Sequence, residues 1–273
     1  MLSSLMNHIF PPFVFLLYLF LLLATSKIFR RVKHKKTNKE EVQTARAVVG
    51  SISSLYSIFL GFVLFILWNN YQKVNEYISS EASKLYVINE SINGFPAETQ
   101  KILRQNLSSY VASVLNVELL AMSTRNESPD TQQMYNNLYS SFHKTKPQDP
   151  VAFVYYGNAV SALNQLIEIR NNRVNMLDVL IPKAWYVIIF LGAVLIVLIY
   201  SLETDLKGKH FLLVLSAFLS CFLTAVTVLS FPFSGYGEVS NKPLVKVFNI
   251  IENSQNSMEN LVEPSNKDLF IRR

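Results

Sequence analysis

Cysteine is nearly absent. Cys221 is the only one in 273 residues, so no disulfide can close within the chain and no thiolate cluster can hold a metal. The four histidines, His8, His34, His143 and His210, fall in four separate segments without ligand spacing, and no metal or other cofactor is expected. No glycine-rich phosphate loop, HExxH or GxSxG occurs, which leaves catalysis without a nucleophile, a base or a phosphate cradle. Charge is sparse as well: 16% of residues are Asp, Glu, Lys or Arg, against the ~25% usual in soluble domains. Period-two alternation is missing, so strands are not expected.

What the chain has in quantity is apolar side chain. Half its residues are hydrophobic, and they are concentrated. Ile9 to Ser26, Val48 to Trp68, Ala184 to Leu202 and Phe211 to Phe231 contain no Asp, Glu, Lys or Arg. About 20 apolar residues in a helix rise ~30 Å, the thickness of the bilayer's hydrocarbon layer. The fold expected is an all-α membrane protein: four transmembrane helices with a helical bundle inserted between spans two and three. The divisions are 1–29 (first span), 30–47 (basic loop), 48–68 (second span), 69–183 (bundle), 184–202 (third span), 203–210 (short loop), 211–231 (fourth span) and 232–273 (tail). Spans without carboxylates or basic groups exclude an intramembrane proton relay, a voltage sensor and carboxylate-dependent proton-coupled transport.

The net charge of +6 has one source. Between Lys27 and Ala47 stand eight basic residues against Glu40 and Glu41, while 69–183 balances ten basic with ten acidic residues. A short loop this rich in Lys and Arg resists translocation, which places 30–47 and 203–210 in the cytoplasm. The 69–183 bundle and both termini then lie outside. Basic residues follow the first apolar run and do not precede it, so that run reads as an anchor and not as a cleaved signal. Held between two spans, the basic loop meets anionic lipid head groups in preference to nucleic acid.

Beyond Trp68 no turn signal intervenes. Tyr71, Val74, Ile78, Glu81, Leu85, Ile88 and Ile92 alternate in threes and fours, a heptad seam that extends the second span as one helix to Gly94-Phe95-Pro96. A helix over Glu98 to Ser123 has Leu103, Leu107, Tyr110, Val114, Val117 and Ala121 on its stripe. Asn126-Glu127-Ser128-Pro129 reads as a loop, and Asp130 to His143 as a helix carrying Met134, Leu138 and Phe142. After Pro150 a long helix runs toward Ile181 with Tyr155, Ala162, Leu166, Arg173, Leu177 and Leu180 inward, and Pro182 marks re-entry into the membrane. Leu244, Phe248, Ile251, Met258 and Leu261 predict an amphipathic helix lying on the membrane or packed on the bundle.

Three sets of residues could carry function. Glu81 stands ~20 Å beyond Trp68, and Arg170 and Arg173 stand ~21 and ~16 Å from Ala184, all at one height. With Glu118 they form either an ion-binding ring in an oligomer or an ion pair that sets register. Gly50, Ser54, Ser57 and Gly61 share a face of span two, and Ser216, Ser220, Thr224, Thr227 and Ser230 share one of span four. Small and hydroxyl residues pack helices closely or line a pore. Trp68 and Trp185 fit membrane-interface anchors.

Leu60-Gly61-Phe62, Trp68, Tyr71 and Glu81-Ala82 together resemble the second-span signature of the bestrophin-like family of unknown function, bacterial four-span membrane proteins. Tyr110, Arg170, Arg173, Pro182, Trp185, the Pro232-Phe233-Ser234-Gly235 element, Val239 and Pro243-Leu244 agree in order and spacing, from about residue 48 to 245. Ser230 departs from the pattern, since the family often places an acid there. The resemblance implies a distant relation to bestrophins, oligomeric anion channels with four spans and a helical domain between spans two and three. Bestrophins keep that domain in the cytosol, whereas the basic loop here places it outside. The expectation is a multi-pass protein of the bacterial inner membrane and a homo-oligomer passing small anions. The rival is a non-conducting envelope protein whose outer bundle binds a partner or senses stress.

Overall fold

Proline is missing from 39 to 92 and glycine occurs there only at Gly50 and Gly61, so nothing interrupts a helix over that stretch. In the computed structural model, which describes residues 10–32, 39–177, 181–201 and 206–262, it is one helix of 54 residues, ~80 Å long. The described helices are α1 (Pro11–Val32), α2 (Lys39–Ile92), α3 (Ala97–Ser113), a π-helical turn (Val114–Glu118), α4 (Leu119–Ser123), α5 (Pro129–Lys144), α6 (Pro150–Asn175), α7 (Lys183–Tyr200), α8 (Leu206–Leu229) and α9 (Lys242–Val262). No strand occurs among the described residues.

The helix ends follow local chemistry. Prolines open α1, α5 and α6, where a missing N–H costs nothing. Ser128 and Asp149 cap α5 and α6 by accepting from the amides of Thr131 and Ala152. Arg30 and Arg31 occupy the last turn of α1, opposite the negative end of its dipole.

The chain divides into two units, Met1–Gln72 with Val179–Glu238 and Lys73–Asp178 with Val239–Arg273. In the first, α1 and α8 run antiparallel: the Phe10 and Tyr236 rings are 4.9 Å apart, and the Tyr18 and Thr227 hydroxyls hydrogen-bond at 2.8 Å. Tyr56 of α2 donates to the Ile189 carbonyl of α7 at 2.7 Å, its ring lying over Gly192. Leu22, Leu60, Val63, Ala193, Ile196 and Leu223 fill the space between.

Pro11–Arg31, Val48–Ile92 and Lys209–Leu229 are long and apolar enough to cross a membrane. The stretch expected as the third span is the shorter apolar helix Ala184–Tyr200, ~26 Å long. The expected loop 30–47 is largely helical, because α1 continues to Val32 and α2 begins at Lys39. Residues 33–38 lie outside the described residues.

In the second unit α2, α3, α5 and α6 bury Ile78, Leu85, Ile88, Leu107, Leu138, Phe142 and Leu166, each side chain contributing roughly 1.5–3 kcal/mol. Three details differ from the sequence-based expectation, and one open alternative is resolved. Helix α6 ends at Asn175, short of Ile181, and Leu180 lies outside the described residues. Tyr155 is exposed along one edge, with its ring set against Gly94. Val117 faces outward, because the π turn holds one more residue than an α turn and shifts the buried stripe onto Glu118 and Met122. Helix α9 takes the second of its two expected positions, packed on α3 with Leu244, Val247 and Ile251 buried.

Candidate functional site

The heptad seam of α2 is apolar except at Glu81, which is fully buried. A lone buried carboxylate is costly and needs hydrogen-bonding partners of opposite charge. Helix α6 supplies them. Arg173 Nε donates to Glu81 Oε2 at 2.8 Å and Nη2 to Oε1 at 3.2 Å, a two-pronged pair. Arg173 Nη2 also reaches Glu118 Oε2 at 2.6 Å, and its Nη1 donates to the Met122 sulfur at 2.9 Å. One turn earlier, Arg170 Nε and Nη2 donate to Glu118 Oε1 at 3.0 and 2.5 Å, while Nη1 donates to Gln132 Oε1 of α5 at 2.5 Å. Tyr110 completes the cluster by donating to Glu81 Oε1 at 3.1 Å.

Two carboxylates thus face two guanidinium groups, and the formal charge sums to zero. Burial alone would depress the Arg173 guanidinium, but Glu81 and Glu118 outweigh it and hold the group charged well above its ordinary value. The Tyr110 hydroxyl is pushed well above its ordinary range, first by burial and then by the two carboxylates. The cluster locks four helices at one level. It exposes no carboxylate or guanidinium face: Glu81, Glu118 and Arg173 are inaccessible and Arg170 nearly so.

Sequence reasoning left out the neutral members, Tyr110, Met122 and Gln132. Tyr110 is on the expected α3 stripe, so its direction was readable though its partner was not. A second polar knot was also missed. Buried Arg104 donates to Asn89 at 3.4 Å, to Gln100 at 2.9 Å and to Asn93, and Gln100 donates to the Asn93 and Phe95 carbonyls. Burial lowers the Arg104 guanidinium from its ordinary value, and the nearby Glu90 carboxylate opposes that. These bonds tie down the turn between α2 and α3.

The two membrane stripes differ in environment. On α8, Ser216, Ser220 and Ser230 are buried. Thr227 meets Tyr18, and Ser230 accepts from the Tyr186 hydroxyl at 2.9 Å. Ser220 and Thr224 return their hydroxyls to the carbonyls one turn back. On α2, Gly50, Ser54, Ser57 and Gly61 are all exposed. A methyl group built on Gly50 or Gly61 would meet nothing within 4 Å. Ser54 and Ser57 bond only to their own helix, at the Gly50 and Ser53 carbonyls. Leu55, Ile58, Phe62 and Phe65 flank the stripe, equally bare. The α8 stripe therefore packs helices within the chain, and the α2 stripe packs against nothing among the described residues.

Trp68 is half-exposed and stacks on Tyr71 at 5.7 Å, and Trp185 meets Phe59 at 5.6 Å. The motif Pro232-Phe233-Ser234-Gly235 forms the irregular exit from α8. Gly235 has φ 74°, a left-handed conformation that favours glycine, and Ser234 is buried. Among the described residues no group of His, Cys, Asp and Glu could hold a metal ion.

The family model described as Bestrophin-like domain matches residues 15–244. Two mutant forms of a bacterial bestrophin homologue from Klebsiella pneumoniae share the fold. One has a TM-score of 0.66 at 14% identity over 89% of this chain and 96% of the other. The second has a TM-score of 0.64 at 13% identity over 90% and 97%. None of the curated proteins compared with the chain matches it. The family model covers most of the chain, and the apolar helices agree with it: this membrane protein belongs to the bestrophin-like family.

Proposed function

We propose that the chain assembles with copies of itself into a passive, anion-selective channel in the bacterial inner membrane. One observation carries this reading: the Gly50, Ser54, Ser57 and Gly61 face of α2 stays bare, although the equivalent stripe of α8 is consumed in packing. Hydroxyls held only by a carbonyl of their own helix can accept from the hydration water of a passing anion, and by rotating away from that carbonyl they can donate to the anion itself. In this reading the chain crosses the bilayer four times, counting the short α7, and the second unit lies outside it, on the periplasmic side, with the basic segment between α1 and α2 in the cytoplasm. The Glu81, Glu118, Arg170 and Arg173 cluster then braces the walls of an external vestibule and does not itself meet ions. Trp68 and Trp185 anchor the interface, and the basic segment meets anionic lipid.

The test is halide flux into liposomes containing the purified protein, against empty vesicles and vesicles carrying an unrelated four-span protein. Flux above both, abolished by Ser54→Leu or Ser57→Leu while assembly persists, is the expected result. Unchanged flux in those variants removes α2 as the lining.

The second reading is a non-conducting envelope protein whose outer bundle binds a partner. The bare Val151, Phe153 and Val154 at the start of α6 favour it. A stable monomer, or vesicles as tight as the controls, would select it.

A further inference from the structure

One end of the first unit gathers positive charge beside bare apolar side chains. The Phe10–Tyr236 and Tyr18–Thr227 contacts set the start of α1 against the end of α8, so the end of α1 and the start of α8 lie together at the opposite end. Arg30 Nε donates to the Ser201 carbonyl at 3.0 Å, which brings the C-terminus of α7 to the same place. Lys27, Arg31 and Lys209 are exposed there. Helices α1, α7 and α8 contain no Asp or Glu; the acidic residues nearest in sequence are Glu40 and Glu41 of α2, and Glu203 and Asp205, whose side chains lie outside the described ones. The Nη2 of Arg30 is shielded from solvent without a hydrogen-bond partner. Ile28 and Phe211, neighbours of these cations in sequence, are 61% and 70% exposed.

We infer that this rim is a binding site for anionic phospholipid, with the phosphodiester held by Lys27, Arg31 and Lys209 and the acyl chains lying on Ile28 and Phe211. A free phosphate would make use of the cations only. A lipid also accounts for the bare Ile28 and Phe211 beside them, a pairing that water penalises. The positive end of the α8 dipole adds to the attraction. Arg30 braces α1 to α7 through the Ser201 carbonyl. The inference rests on the membrane reading of the first unit and is independent of conduction.

Full-length protein in neutral detergent is titrated with phosphatidylglycerol, phosphatidylcholine or inorganic phosphate, following the thermal midpoint. Phosphatidylglycerol raises it, phosphatidylcholine and phosphate do so far less, and salt erodes the difference. Each cation near an anionic surface is worth about fivefold in affinity, so Lys27→Gln/Arg31→Gln/Lys209→Gln weakens the lipid response roughly a hundredfold. The same loss of charge in the second unit, Lys101→Gln/Lys144→Gln/Lys146→Gln, leaves it intact. Glu203→Gln/Asp205→Asn leaves or strengthens it. An equal response to phosphatidylcholine or phosphate, a rim variant matching wild type, or a response lost with Glu203 and Asp205 overturns the site. Protein recovered without detergent would overturn the membrane reading instead.

Discussion

Arg173 and Glu81, 92 positions apart, meet in a two-pronged ion pair at 2.8 and 3.2 Å with both side chains fully buried. The pair joins the helix entering the second unit to the helix about to leave it. Because Glu118 shares Arg173, neither carboxylate can be removed without stranding charge. The cost of such a cluster lies in desolvation, and its value lies in admitting one register only.

Replacing Arg173 with Met should therefore destabilise the second unit by about 3–5 kcal/mol, since Glu81 is left buried and uncompensated. Adding Glu81→Gln should recover part of the loss. Thermal unfolding of both variants checks this, and a double variant no better than the single would mean the pair is not the controlling contact.

The π turn makes a sharper prediction. Val114, Glu118 and Met122 are buried, whereas an unbroken α-helix would bury Val117 and Ala121. Deleting exposed Asn116 should convert the turn to ordinary helix while keeping Glu118 and Met122 inward. Deleting Ser109, inside regular α3, should rotate Glu118 out of the cluster. Folded yield after purification should fall for the second deletion and hold for the first.

Glycines 192 and 61 should respond in opposite ways. A Cβ on Gly192 would run into the Tyr56 ring, so Gly192→Ala should cost about 1–3 kcal/mol of overpacking. Gly61→Ala meets nothing within 4 Å among the described residues and should leave the thermal midpoint unchanged. Should Gly61→Ala disturb assembly or flux instead, another copy covers that face.

Alkaline pH should unfold the second unit early. Burial raises Tyr135 to about 12, and burial with Glu81 and Glu118 raises Tyr110 well above its ordinary value. An unfolded tyrosine loses its proton near pH ~10, so above that pH the folded state binds more protons than the unfolded one. Stability contributed by the neutral phenols is present below pH ~10 and is lost as pH rises through the folded values. Tyr135→Phe should flatten the decline between pH 10 and 12 in a denaturation series, and an unaltered profile would refute the assignment.

Much of the architecture was legible because its causes are local. A run without proline propagates as helix, so the continuous α2 and its end near Gly94 followed from residue order alone. Seam spacing likewise put Glu81 among apolar neighbours. The helical backbone over 39–47 was not legible, because charge density bears on membrane topology and says little about whether a backbone is helical. Val117 was misplaced because a heptad count assumes uniform helix, and no local residue pattern announced the π turn.

The apolar helices, the scarcity of charge within them and the basic segment were already readable in residue order, since each is set by composition and one-dimensional spacing. Only the tertiary structure decided which polar groups meet. It gave Glu118 both arginines through a π turn, added Tyr110, Met122 and Gln132, and closed the α8 stripe against α1 while leaving that of α2 bare. Pairing across 50 or more positions depends on helix rotation and packing, and a small rotational error moves a side chain from one neighbour to the next.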